Sequence, residues 1–173
     1  MAGTKEQGRS GLFRLREDVI RFPDGSEALY TVIANPDSSF VVPRFDNGDT
    51  MLVRQWRHAW NSSSWEVPAG TSDPGEDPLE CARRELAEET GLVATRYTSL
   101  GVVHGAAILT GLAHLYLAEQ LTESERRPEA YEQDMEVLRL PFTEALNAAL
   151  GGEIVHSGSI TALCRAARAL KLL

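Results

Sequence analysis

The sequence predicts an α/β domain in which a mixed β-sheet lies between helices. Short apolar runs separated by turn residues fill the first seventy positions, as strands do. A helix with start and stop signals follows at about residues 78–90. Further strand-like runs then interleave with two more helical segments, the pattern of a sheet covered by helices.

The first strand is "LFRLREDVIRF", and "PDGS" turns the chain after it through Asp24-Gly25. "EALYTVIA" and "SSFVVPRF" follow, separated by "NPDS". "DNGD" is the strongest hairpin signal, because Asn47-Gly48 suits a type I′ turn. It predicts that "SFVVPRF" pairs with "TMLVRQWRH". "NSSS" reads as a polar loop and "WEVPAG" as a short strand. Asp77 then caps a helix, Pro78 suits its first turn, and Glu80 completes a capping box. Gly91 stops it, and Leu79, Cys81, Ala82 and Leu86 form its apolar stripe.

"TRYTSLGVVHG", "LAHLYLAEQL" and "EVLRLPF" are further strands, with the charged loop "TESERRPEAYEQDM" before the last. Thr143 caps the short helix "TEALNAAL" after the turn-free "LPF". A final helix, from Ile160, sets Leu163, Cys164, Ala167 and Leu170 on one face with it. With no repeat and no second core, residues 11–173 read as one domain. Residues 1–10 are polar and Gly-rich and read as a disordered terminus.

At 173 residues the chain can bury a core without staples. Its net charge of −8 argues against a nucleic-acid partner. An anionic substrate would need cations or local arginines. Cys81 and Cys164 sit in apolar helical patterns without metal-ligand spacing, so a reduced, cytoplasmic protein is expected. No apolar run approaches the ~20 residues of a membrane span. "MAGTKEQGRSG" lacks the apolar stretch of a secretory signal.

The segment "GTSDPGEDPLECARRELAEETGL" holds seven carboxylates, five of them glutamates. Glu85, Glu88 and Glu89 stand at i, i+3 and i+4, on one helical face. A solvated acidic face is one reading. Yet no Lys or Arg lies four residues further along that face. The acids also crowd the second half of the helix, where the macrodipole disfavours them. Hard divalent cations, which take oxygen ligands, explain such crowding.

The segment reads Gly70, five residues, Glu76, seven residues, then Arg84-Glu85-Leu86-Ala87-Glu88-Glu89-Thr90-Gly91-Leu92. It resembles the Nudix box at every fixed position. The resemblance implies the Nudix fold, an α/β/α arrangement, here with an N-terminal antiparallel strand extension. It also implies hydrolysis of nucleoside diphosphates linked to another group, by water attack on phosphorus with Mg²⁺ or Mn²⁺. Carried over, Glu85, Glu88 and Glu89 are the metal ligands, joined by the Ala69 carbonyl. Glu88 counts among the catalytic groups. Arg84 and Glu76 become supporting groups that orient the glutamates.

The flanks resemble the ADP-ribose pyrophosphatase branch, through Arg54-Gln55-Trp56-Arg57 and Trp65-Glu66-Val67-Pro68-Ala69-Gly70. That likeness implies that Arg57 contacts a diphosphate, that Arg54 lies in the same substrate element, and that Glu66 helps hold substrate or metal. Trp56, Trp60 and Trp65 divide between stacking on a base and packing in the core. His104 reads as structural, and His114 as a strand residue without a catalytic role. The general base in this branch is often a late-loop glutamate. Here Glu132 is the first candidate and Glu129 the second, with Asp134 and Glu136 nearby. The stretch Val102–Tyr116 lacks the proline usual in ADP-ribose hydrolases and holds "GAAILTG" instead. The sugar and base therefore stay open, with triphosphates, dinucleoside polyphosphates or a non-catalytic sensor role as alternatives. The branch further implies a homodimer built with N-terminal strands at about residues 11–35.

Overall fold

A computed structural model describes residues 3–126 and 134–173. Among them the chain begins with strands β1 (Gly3–Ser10), β2 (Phe13–Arg21), β3 (Glu27–Ala34), β4 (Ser38–Pro43) and β5 (Asp49–Arg57). A 3₁₀ turn at His58–Trp60 leads to β6 (Ser62–Glu66) and β7 (Ala69–Thr71). Helix α1 (Pro78–Thr90) is followed by β8 (Leu92–His104), β9 (Leu112–Glu123) and β10 (Glu136–Pro141). Helices α2 (Phe142–Gly151) and α3 (Ser157–Ala169) end the chain.

The central sheet has the order β7-β4-β9-β8. It is mixed, because β4 and β9 run parallel while the other neighbours are antiparallel. Side chains alternate across a strand, and β4 uses both faces. Val41 packs with Ala82, Leu86, Leu92 and Ala118 on the α1 side. Phe40 and Val42 pack with Leu115, Leu163 and Ala166 on the α3 side. This is the helix–sheet–helix layering expected from the sequence. A second sheet, β10-β5-β6, carries α2, whose Phe142 and Leu146 enter the α3-side core.

The turn at Asn47-Gly48 forms, but not as expected. Gly48 donates its N–H to the Phe45 carbonyl at 2.9 Å and takes a φ of +95°. Asn47 has no positive φ, so the turn is not type I′. Nor do β4 and β5 pair. β9 occupies one edge of β4 along its length, and β7 with the Pro68 carbonyl occupies the other. β5 instead finds β10 and β6. The predicted strand "WEVPAG" is likewise divided between β6 and β7, and the serines read as loop belong to β6.

Residues 1–10, expected to be disordered, contribute β1, which pairs antiparallel with β2. Besides the backbone ladder, Thr4 Oγ1 donates to Asp18 at 2.8 Å, and every β1 residue is exposed. β1, β2 and β3 form a separate three-stranded sheet. It meets the rest of the chain at the end of β3. There Ile33 donates to the Ile108 carbonyl at 2.8 Å, and Thr110 donates to the Ile33 carbonyl at 3.2 Å. The Asn35 side chain adds acceptance from Gly111 N–H at 3.0 Å. The "GAAILTG" segment thus anchors the extension. Among the described residues no helix is long and apolar enough to cross a membrane.

Candidate active site

Helix α1 has the predicted ends. The Asp77 carboxylate accepts the Leu79 N–H at 2.8 Å, Pro78 opens the helix, and Gly91 closes it with a φ of +69°. Glu80 does not return to Asp77; it pairs with Arg83 instead. The helix buries Cys81, Ala82 and Leu86. That orientation turns Glu85, Glu88 and Glu89 toward β7. Gly70 allows the close approach: a Cβ there would stand 1.9 Å from Glu85 Oε1. The Glu89 carboxylate is fully buried and accepts the Ala69 N–H at 3.0 Å.

Arg84 lies across this face. Its Nη1 donates to Glu85 Oε1 at 2.7 Å and to Glu88 Oε2 at 3.1 Å. Its Nε and Nη2 each donate to Glu76 at 2.9 Å, and Nη2 also reaches the Thr71 carbonyl at 3.1 Å. One guanidinium therefore ties the 71–77 loop to the helix. The hydrogen bonds to Glu76, opposed by burial and aided by the charge of Glu85 and the hydrogen bonds to Glu85 and Glu88, push the Arg84 pKa up. The Glu76 carboxyl is correspondingly held low, first by Arg84.

Among the described residues no three His, Cys, Asp or Glu side chains are gathered around one point tightly enough to hold an ion. Arg84 occupies the space between Glu85 and Glu88. The donor set still fits a hard divalent cation. It offers carboxylate oxygens from three glutamates, the adjoining Ala69 backbone, and a glycine that leaves room between strand and helix. Arg84 bonds one oxygen of Glu85 and one of Glu88, so an ion on these carboxylates would sit beside its guanidinium.

A cavity of about 370 Å³ opens over this face, lined by Gln55, Arg57, Gly70, Arg84, Glu85 and Glu88 among others. Arg57, Ala69, Gly70 and Thr71 also line a neighbouring cavity of about 420 Å³ walled by Phe40, Trp56, Trp60 and His156. Phe40, Trp60 and His156 continue into a third, of about 520 Å³, bounded by His104, Gly105 and Leu109. The three make one trench from the glutamates, past Arg57 and an aromatic wall, to "GAAILTG". His104 therefore faces the trench, whereas His114 pairs with Asp37 at 3.0 Å. Trp56 and Trp60 are exposed, and Trp65 packs against the core.

Gln55 and Arg57, two apart on β5, share the cavity face. Arg54 has the opposite face and pairs with Glu136 at 2.8 Å, so Gln55 rather than Arg54 reaches the trench. The two-residue period of a strand groups Gln55 with Arg57 from the sequence alone, although Trp56, between them, also reaches the trench. Glu66 is fully buried behind Arg57. Arg57 Nε donates to its Oε1 at 2.8 Å, and His156 Nδ1 lies 2.7 Å from its Oε2. Burial favours the protonated carboxyl, but hydrogen bonds from Arg57 and His156 outweigh it and bring the pKa down to about 2. Glu66 thus touches the trench only through these partners. Of the late-loop candidates, Glu129 and Glu132 lie outside the described residues. The stems of their loop are tied to α1: Arg126 donates to the Glu89 carbonyl at 2.6 Å and to the Met135 carbonyl at 3.1 Å.

Comparison with known proteins agrees with this architecture. The NUDIX domain model matches residues 35–157. An ADP-ribose pyrophosphatase of Mycobacterium tuberculosis is 38% identical over 153 residues, covering 86% of this chain and 73% of that protein. An ADP-ribose pyrophosphatase of Bacillus subtilis is 28% identical over 162 residues, covering 92% and 88%. A crystal structure of an ADP compounds hydrolase superposes with a TM-score of 0.86 at 23% identity, over 98% of this chain and 92% of that one. It is a likeness of fold. From the matched domain model and the extent of these relatives, the chain belongs to the Nudix family.

Proposed function

We propose that this Nudix hydrolase cleaves the pyrophosphate bond of ADP-ribose, or of a closely related nucleoside diphosphate sugar. The products are a nucleoside monophosphate and a sugar phosphate. The observation that carries the reading is the shared wall of the trench. Arg57 and Gly70 border both the glutamate cavity and the aromatic cavity. A diphosphate held at Arg57 has room for one end group toward Trp60 and the other across the box. The names of the Mycobacterium and Bacillus relatives support ADP-ribose.

Glu85, Glu88, Glu89 and the Ala69 carbonyl are the residues that would hold Mg²⁺ or Mn²⁺. Such ions neutralise a diphosphate and lower the pKa of bound water. Arg57 binds phosphate oxygens with N–H groups other than the two that hold Glu66. Arg84 keeps the box loop against α1 through Glu76. Glu132, or failing it Glu129, takes the proton of the attacking water. The working form is a homodimer. The β1–β3 sheet bares Phe13, Leu15, Leu29 and Tyr30, an apolar surface of the kind that marks a protein interface. The two free cysteines, Cys81 and Cys164, suit the reducing cytoplasm.

The test is turnover of a panel by the purified protein with Mg²⁺ or Mn²⁺, products read by chromatography. AMP plus ribose 5-phosphate from ADP-ribose, well above GDP-mannose, UDP-glucose, dinucleoside polyphosphates and triphosphates, is the expected result. Preference for another member of the panel overturns the ADP-ribose assignment. Binding without any turnover overturns hydrolysis in favour of a sensor.

A further inference from the structure

His156 has no role in the sequence reading, yet it closes a chain of contacts that ends at the trench. Its backbone is fixed. It caps α3, and its carbonyl accepts the Ile160 N–H at 3.0 Å. The start of α3 is pressed onto β4, because a Cβ at Gly158 would fall 2.4 Å from the Phe40 ring. The imidazole sits between Phe40 and Trp60, with ring centroids at 5.3 and 5.7 Å. Its Nδ1 is 2.7 Å from Glu66 Oε2 and 3.1 Å from Ser159 Oγ. Ser159 is fully buried and accepts the Val67 N–H at 3.1 Å.

These contacts fix the hydrogen. A carboxylate only accepts, so at 2.7 Å Nδ1 must carry the proton and donate it to Glu66; the tautomer is assigned from this network. Glu66 then has two partners: Arg57 from β5 donates to both of its oxygens, Nε to Oε1 and Nη2 to Oε2, and His156 at the start of α3 adds a further donor at Oε2. A buried carboxylate without such partners is strongly disfavoured. The bidentate pair makes carboxylate and guanidinium turn together, and His156 pins that pair from the α3 side, so the guanidinium beside the diphosphate cavity has one orientation.

We propose that His156 is a positioning residue for substrate: its Nδ1–H locks Glu66, and Glu66 holds Arg57 at the angle that receives the diphosphate. This rests on the reading of Arg57 as a diphosphate ligand. The path is α3 to β6 to β5, and it places a residue of the C-terminal helix in control of a group ninety-nine positions earlier in the chain.

The experiment compares His156→Phe, His156→Asn, Arg57→Lys and the double variant His156→Phe/Arg57→Lys, with ADP-ribose and Mg²⁺. Phe keeps a ring between Phe40 and Trp60 but has no N–H. The Asn amide puts an N–H near the Nδ1 position. Loss of one hydrogen bond to a charged group predicts a rise in KM of about tenfold for His156→Phe, with kcat within about twofold. His156→Asn restores most of the affinity, Arg57→Lys raises KM at least as much as His156→Phe, and the double variant is no worse than Arg57→Lys alone. Wild-type KM in His156→Phe overturns the proposal. So does equal impairment of Phe and Asn, which would make the ring's packing the cause, and so does additivity in the double variant. Wild-type KM in Arg57→Lys overturns the diphosphate reading beneath it, a separate result. If His156→Phe does not fold, His156→Met, unbranched and without an N–H, replaces it in the same comparison.

Discussion

β2 and β4 are both well-paired strands, yet the chain treats them oppositely. Five of the six β4 residues are buried, because helices cover both faces of its sheet. In the nine-residue β2 only Asp18 is buried, held by Thr4 at 2.8 Å and Arg16 at 3.3 Å. Hydrogen-bonded ladders are therefore common to both regions, and covered apolar area separates them. A small sheet without a covering layer is marginal alone. The β1–β3 sheet thus leaves its apolar residues bare, and the β7-β4-β9-β8 sheet is the frame that sets the glutamates.

The sharpest test of that contrast is a matched pair of truncations. Leu86→Ala, in the wholly buried α1 layer, is expected to cost about 2–5 kcal/mol. Leu29→Ala, at 67% exposure on β3, is expected to stay within about 0.5 kcal/mol in the monomer. Denaturant titration measures both, and equal losses would break the comparison. Next comes the acid limit of the frame. Glu66 titrates at about 2 instead of its ordinary 4.5. Its folded pKa is depressed, so its contribution is complete above pH 4.5 and disappears as pH falls toward 2. That shift corresponds to roughly 3 kcal/mol. The stability gap between wild type and Glu66→Gln should therefore shrink between pH 6 and pH 2.5. An unchanged gap would remove the ion pair from the account.

Glu88→Gln should lower kcat by more than about 100-fold, since even the outer partners of metal ligands cost 10–100-fold. Its melting temperature should stay near wild type, because Glu88 is only half-buried; a collapse of the fold would make the residue part of the frame instead. The smallest effect separates the faces of β5. Gln55→Ala, in the cavity wall, should raise KM by about three- to tenfold, as for a lost neutral hydrogen bond. Arg54→Ala, paired with Glu136 outside the trench, should leave KM unaltered. Steady-state kinetics decides, and the reverse order would restore Arg54 to the site.

What the sequence showed plainly was local. Asp77, Pro78 and Gly91 mark α1 within one or two residues of its bounds, and the spacing of Glu85, Glu88 and Glu89 puts them on one face. What it hid depends on competition between distant partners. "DNGD" announces a turn, but whether β4 and β5 then pair depends on β9 and β7 reaching β4 first. The exposed strand β1 has no alternation of polar and apolar residues to reveal it. Gln55 could have been found by counting in twos from Arg57. His156 and Ser159 could not. They meet Glu66 and Val67 across some ninety positions, and nothing in "VHSGS" states that partner.

Arg84 gives the box a counter-ion that never leaves the chain. Three glutamates on one helical face would otherwise repel each other. A guanidinium bridging Glu85 and Glu88 offsets that repulsion from within the helix itself.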